Sequence, residues 1–262
     1  MAIRCVEALA AIALAACASA EDDPNEIYRQ GMRLFAEHKP GAAIAAFERV
    51  VALRPKNAAA WKALGVVYAA QQNFDAAEKP LRTACELNPA LPDACLYYGR
   101  TLYLLNRFQP AIEVLRRALA NNRENAEIHR LLGLSLDGLG ATEEAGNALR
   151  DAVRLDRAST PNEDPGIDYG VYLFRLGRAE EAVAPIEAAL LRHPDAARAH
   201  LELGCVLLSL DRLQDAESHL ERAAALDPES SRSHLLLGKV YLRLGKTKAG
   251  EEQLSQGSRT VK

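Results

Sequence analysis

A glycine returns at a fixed interval along this chain: Gly31, Gly65, Gly99, Gly133, Gly170, Gly204 and Gly238 stand 34 residues apart, with one interval of 37. A period of this length marks a supersecondary unit stacked on copies of itself, because a lone helical hairpin has nothing to cover its apolar face. The same frame recurs around each glycine, most fully as Trp61, Leu64, Gly65, Tyr68, Ala77, Leu81, Ala84 and Pro89. Leu64, Gly65 and Tyr68 fall on helical spacings of three and four, as do Ala77, Leu81 and Ala84. Each unit therefore predicts two antiparallel helices turned into one core. Gly65 and Ala77 carry little or no side chain where the helix axes approach, and a larger group there would overpack the contact. Glycine inside a helix costs about 1 kcal/mol relative to alanine, which close packing must offset.

This frame resembles the tetratricopeptide repeat family, whose pattern has a bulky residue at position 4, Leu at 7, Gly or Ala at 8, Tyr at 11, Ala at 20, Phe at 24, Ala at 27 and Pro at 32. Cut on that pattern, the units are 24–57, 58–91, 92–125, 126–159, 163–196, 197–230 and 231–262. The resemblance implies an all-α fold, a right-handed α-solenoid of seven stacked helix-turn-helix repeats forming one elongated domain over residues 24–262. Pro55, Pro89, Pro194 and Pro228 occupy position 32, where proline stops the second helix. The third and fourth units carry Arg123 and Arg157 there instead, with Asn122 and Asn125 as candidate turn residues in the third. Pro80 and Pro185 fall early in second helices, where they are tolerable or bend the helix. The polar stretch 156–165 holds the three extra residues and reads as a longer inter-repeat loop. It is either a tolerated insertion or a binding loop or hinge between a four-repeat and a three-repeat block.

The composition suits a soluble helical chain: 49% hydrophobic, 5% aromatic, and rich in the strong helix formers Ala and Leu. A net charge of -3 with dispersed Lys and Arg gives no footprint for nucleic acid or an anionic membrane surface. The N-terminus stands apart, with Arg4 before the apolar run Ala8 to Ala16 and acidic residues from Glu21. Residues 1–20 read as an export signal too short to span a bilayer, although Glu7 is a poor signal feature. Leu14, Ala15, Ala16 and Cys17 resemble a bacterial lipobox, which would make Cys17 the site of lipid attachment and place the protein at the cell envelope facing the periplasm. Cleavage after Ala20, at Ala18, Ser19 and Ala20, would instead release a soluble periplasmic or secreted protein; an uncleaved chain would be cytosolic.

The remaining Cys85, Cys95 and Cys205 are odd in number and lack metal-site spacing, so Cys95 is expected as a small buried hydrophobe rather than a disulfide partner. Cys85 and Cys95 lie across one inter-repeat turn and have a bond open to them only in an oxidising compartment. His129, His200 and His234 share position 4, but stacked units hold them too far apart to share a zinc ion, and His38, His193 and His219 are expected in loops or on the surface. No metal and no cofactor is expected. The glycines are dispersed within helices rather than clustered to cradle phosphate, and the pairs Glu143–Glu144 and Glu180–Glu181 begin second helices, where negative charge complements the helix dipole. No catalytic constellation emerges, and the expectation is a non-enzyme.

In the family that the frame resembles, first-helix positions 2, 5, 9, 12 and 13 line a concave groove that binds proteins or peptides. Carried onto this sequence, that wall holds Tyr28, Lys62, Arg100, Tyr103, Arg130, Phe174 and Arg175 as candidate peptide-binding residues, with Met32, Phe35, Leu96 and Ile167 among their neighbours. The Lys-and-Asn clamp by which chaperone-binding members hold a terminal carboxylate is not matched, since Lys62 is followed by Val66. An extended or helical peptide with apolar anchors fits better. The expected role is an adaptor or scaffold at the bacterial cell envelope. Two alternatives are an assembly lipoprotein for pilus or secretion machinery, similar in architecture to pilotins, and a self-associating oligomer in which Gly250 and Gly257 weaken the last helix or open a docking surface.

Overall fold

The computed structural model describes residues 23–91 and 93–259, and the regular elements among them are fourteen α-helices. Contacts divide the chain after Arg123 into two compact units. The first holds α1 (Pro24–Ala36), α2 (Pro40–Leu53), α3 (Ala58–Ala70), α4 (Phe74–Leu87), α5 (Ala94–Leu104) and α6 (Phe108–Asn121). The second holds α7 (Ala126–Gly138), α8 (Thr142–Leu155), α9 (Pro165–Arg175), α10 (Ala179–Arg192), α11 (Ala197–Ser209), α12 (Leu213–Leu226), α13 (Ser231–Arg243) and α14 (Thr247–Arg259). Within each unit every helix packs on its successor, and first helices also touch first helices of the next hairpin, as α1 does α3 and α9 does α11. Three helical hairpins stack in the first unit and four in the second, the seven expected.

The recurrent glycine has one job throughout. A Cβ on Gly65 would come within 2.4 Å of Leu81 Cγ, and one on Gly170 within 2.3 Å of Ile186 Cγ1. Real Cβ atoms do not approach so closely, so glycine is what lets the two helices of a hairpin meet over the position-24 side chain. Phe47, Leu81, Leu115, Leu149, Ile186 and Leu220, the residues at that position in the first six units, are all fully buried.

Each hairpin turns on one left-handed residue between its helices: His38, Gln72, Asn106, Gly140, Gly177, Asp211 and Gly245 all have positive φ. The residue after it returns a backbone hydrogen bond to the first helix, as in Asn73 N–H to Tyr68 O at 3.0 Å and Arg178 N–H to Leu173 O at 3.0 Å. This closure satisfies carbonyls that the helix end leaves without partners. Helix starts are capped by side chains: Asn57, Asn73, Asn125 and Ser230 each accept from the backbone N–H three residues on. Asn125 thus begins α7 where the position-32 proline is missing. Pro80 and Pro185 lie inside α4 and α10, and both helices continue through them.

One expectation is corrected, and of the two readings open for the long inter-repeat stretch the structure favours one. Cys85 and Cys95 are joined in a disulfide. Helix α5 starts at Ala94 after a turn in which Asp93 is left-handed, and this brings the two Cα atoms to 4.8 Å, inside the range a disulfide bridges. The 156–165 stretch is not a boundary between compact units, for it lies inside the second. Asp156 and Asp164 pin it: Asp156 accepts from the backbone of Ser159 at 3.0 Å, while buried Asp164 caps α9 through Gly166 N–H at 2.8 Å and receives Arg192 at 2.6 Å. Gly250 and Gly257 let the last helix pack closely on α13. Both are buried, and a Cβ on either would fall within 2.9 Å of Leu242 or Leu235 on α13.

Candidate functional site

The first helices carry the candidate wall, and the two compact units furnish it differently. In the first, Tyr28 leans on Phe47 with ring centroids 5.6 Å apart, and burial pushes its hydroxyl pKa up. Tyr103 on α5 lies 6.0 Å from the Phe108 ring. Phe35, Lys62, Leu96 and Arg100 are half-buried, and Met32 is exposed. These side chains give α1, α3 and α5 a part-exposed surface in which aromatic and aliphatic groups predominate.

In the second unit, the cations assigned to the wall are spent between hairpins. Arg130 is only 6% exposed; its Nη1 donates to Asp168 Oδ2 at 2.8 Å, and its Nε and Nη2 donate to Glu127 at 2.6 and 2.9 Å. Burial opposes its charge, but the Glu127 and Asp168 carboxylates outweigh that and raise its pKa. Arg130 therefore presents no guanidinium to a ligand, and Ile167, also placed on the wall, is fully buried. Arg175 is exposed and paired with Asp137 on α7. Phe174 is half-buried.

The pairing has a register that the expected wall did not contain. Asp168 on α9 also receives Arg198 on α11 at 2.5 Å, and Glu202 on α11 receives Arg232 on α13 at 2.5 and 2.9 Å. An acid at position 6 meets an arginine at position 2 of the next hairpin, a separation of 30 residues in both cases. Both pairs are charge-assisted, and the Arg232–Glu202 pair is bidentate, an arrangement that is strong and geometrically selective. The signal lay in the sequence as that fixed offset.

A second recurring contact involves position 4. Trp61 Nε1 donates to Pro55 O at 2.8 Å; His200 Nε2 lies 2.9 Å from Pro194 O and His234 Nε2 3.0 Å from Pro228 O. The aromatic slot thus closes the preceding turn as well as filling space. His219, expected on the surface, is half-buried and meets His200 inside one hairpin. Burial lowers its pKa, with the His200 ring acting in the same direction. Among the described residues no group of three or more His, Cys, Asp or Glu gathers as metal ligands, and no helix is long and apolar enough to cross a membrane. Cys17 lies outside the described residues.

Stacked hairpins, each closed by a glycine contact, with first helices bearing a side-chain wall, define a helical-repeat protein of the kind that recognises other proteins. The chain belongs to the tetratricopeptide repeat family: one model of that repeat matches residues 28–92, 99–160 and 170–231, and a second matches 207–261. It is 32% identical over 66 residues to cell division cycle protein 27 homolog B of Arabidopsis thaliana, covering 25% of this chain and 9% of that protein. It is 24% identical over 159 residues to the BBSome complex member BBS4 homolog of Drosophila melanogaster, covering 59% of this chain and 32% of that protein. The chain thus spans a third or less of these relatives. A tetratricopeptide repeat protein from Parabacteroides merdae superposes with a TM-score of 0.71 at 12% identity, over 90% of this chain and 93% of that one. PilW, described as a widely conserved type IV pilus biogenesis factor, gives 0.67 at 22% identity, over 76% and 91%. PilF of Pseudomonas aeruginosa gives 0.67 at 22%, over 77% and 90%. At these identities the likeness is one of fold.

Proposed function

We propose that this protein is a non-catalytic adaptor that holds a peptide or protein segment against its first-helix wall, on the exported side of a bacterial membrane. The observation that carries the binding role is the surface of α1, α3 and α5, where Tyr28, Met32, Phe35, Leu96 and Tyr103 remain partly exposed on helices whose other faces are packed. Aromatic side chains bury large area at small entropic cost and are the usual centres of binding energy. In the second unit Phe174 offers an apolar contact beside the Arg175–Asp137 pair. The partner this suits is a segment with apolar anchors rather than a free carboxylate terminus.

Two features support an exported location. The signal-like start ends in a lipobox-like Cys17, and Cys85–Cys95 is a bond that persists in oxidising compartments and not in a reducing cytosol. In this reading Cys17 carries a lipid. A narrower reading, an assembly lipoprotein for pilus or secretion machinery, is favoured by the superposition on PilW and PilF over about nine-tenths of each of those chains.

A photocrosslinking residue placed at Met32, and separately at the outward Leu191, tests the wall in the full-length protein. Crosslinks to a partner from position 32, weakened by Tyr103→Ala or Phe174→Ala with helix content unchanged, support it. Crosslinks from 191 alone overturn it. Intact mass of the membrane-fraction protein beside Cys17→Ser tests the location: a diacylglyceryl or triacyl mass on a chain starting at Cys17 supports the anchor, and a chain starting at Glu21 or Met1 removes it.

A further inference from the structure

Within the hairpin of α11 and α12 two imidazoles converge, with His200 Nδ1 3.0 Å from His219 Nδ1 and ring planes inclined by 35°. The repeat itself fixes which nitrogen of His200 carries the proton. Its Nε2 occupies the place where Trp61 Nε1 donates to a proline carbonyl in another unit, and an indole N–H can only donate. Pro194 O likewise can only accept. His200 is therefore protonated at Nε2, and its Nδ1 lone pair is aimed at His219. The next hairpin supplies an internal comparison: His234, held the same way by Pro228 O, has its Nδ1 2.7 Å from the side-chain amide of Gln253. Turning that amide about its axis presents an N–H without changing its outline. The slot thus accepts either a glutamine or a histidine as partner.

We propose that His200 and His219 form a two-nitrogen site for a divalent transition-metal ion, whose other positions are filled by water. A ring nitrogen bonded to a backbone carbonyl is the usual device that orients a metal-binding histidine, and Pro194 O supplies it here. The pair borders an open cavity of about 610 Å³, lined also by Asp195, Ser218, Glu221 and Arg222, through which water and ion have access. Asp195 is committed to Arg222, and Glu221 accepts from the Tyr241 hydroxyl at 2.7 Å, so the protein ligands are the two imidazoles. Imidazole ligands suit Cu(II), Ni(II) and Zn(II), and Cu(II) heads the affinity order for such ligands.

The proton count is simple. In the metal-free contact His219 Nδ1–H donates to His200 Nδ1, the two nitrogens pointing at each other; on binding, exchange with solvent moves that proton to His219 Nε2, and both rings tilt off their shared axis to turn their Nδ1 lone pairs to the ion. No net proton is released when both rings are neutral, and the ion keeps its oxidation state.

Full-length protein titrated with Cu(II) at neutral pH, followed by electron paramagnetic resonance and calorimetry, tests the site. The expected result is one equivalent bound with an axial spectrum and two coordinated imidazoles in pulsed measurements. His219→Gln recreates the natural His234–Gln253 pair, so helix content should be kept while Cu(II) affinity falls at least tenfold; His234→Gln should leave it unchanged. Equal affinity in wild type and His219→Gln, or fewer than two imidazoles in the wild-type pulsed spectrum, overturns the proposal, and the latter reading needs no variant to fold.

Discussion

The two compact units solve the same packing problem with different chemistry. Among the described residues, the buried polar side chain of the first unit is Thr101, and its cross-link is the Cys85–Cys95 disulfide. The second unit buries Arg130, Asp164, Asp168, Glu202 and His234, and joins successive hairpins through carboxylate–arginine pairs. Glycine-over-leucine packing makes each hairpin in both units; what differs is how one hairpin is attached to the next. In the first unit the Arg107–Glu78 pair also crosses between hairpins, but from outside the first-helix face, which keeps Tyr28, Met32, Phe35, Leu96 and Tyr103 partly exposed. Ionic attachment spends the corresponding positions of the second unit on register.

The contrast breaks first at Asp168. Asp168→Ala leaves Arg130, with an 8% exposed side chain, and Arg198 facing an uncharged site. A loss of about 3 kcal/mol is expected, the low end for breaking a buried pair because Glu127 still faces Arg130. Hydrogen exchange should report it as faster opening in α7, α9 and α11, with the first unit unchanged. Reduction of Cys85–Cys95 should do the reverse, costing about 2–3 kcal/mol for a loop of this length, with faster exchange confined to α4 and α5. If reduction weakens both units equally in urea unfolding followed by exchange, the division of labour is wrong.

Smaller changes sharpen what the units share. Gly65→Ala places a Cβ against Leu81 Cγ and should destabilise by about 1–3 kcal/mol in thermal unfolding. Gly41→Ala in α2, with nothing within 4 Å of the added carbon, should stabilise by about 0.5–1 kcal/mol. The smallest effect is a slope with pH. Because the His219 pKa is lowered on folding, the unfolded chain takes up the proton first as pH falls through the ordinary histidine range near 6.5. Stability held above that range should therefore decline below it, more shallowly in His219→Gln, measured by urea midpoints from pH 8 to 5.

The hairpins were legible because their cause is local and repeated: small Gly31 or Gly65 opposite Phe47 or Leu81 states the packing in the residues themselves. The left-handed turn was less so, since His38, Gln72, Asn106 and Asp211 fill it as well as three glycines and share no side-chain type. The disulfide was missed because an uneven cysteine count argued against it, whereas the deciding quantity was the distance set by the late start of α5. Arg130 was placed on the wall by its position in the repeat, and only the neighbouring hairpin's Asp168 turns it inward. His200 was compared with the position-4 histidines of other units and His219 was read as a loop or surface residue, while the two lie 19 residues apart in one hairpin.

The acid-to-arginine step across 30 residues makes the hairpins of the second unit an ordered set rather than interchangeable bricks. Exchanging the fifth and sixth hairpins would set Asp168 against Arg232, where Glu202 has a longer arm, and Glu202 against Asp164, the residue at position 2 of the fifth hairpin. A chain of this kind lengthens readily by copying its frame, but each copy inherits the address of the neighbour it was cut from. New members of such a stack must be matched at both joints before they can be used.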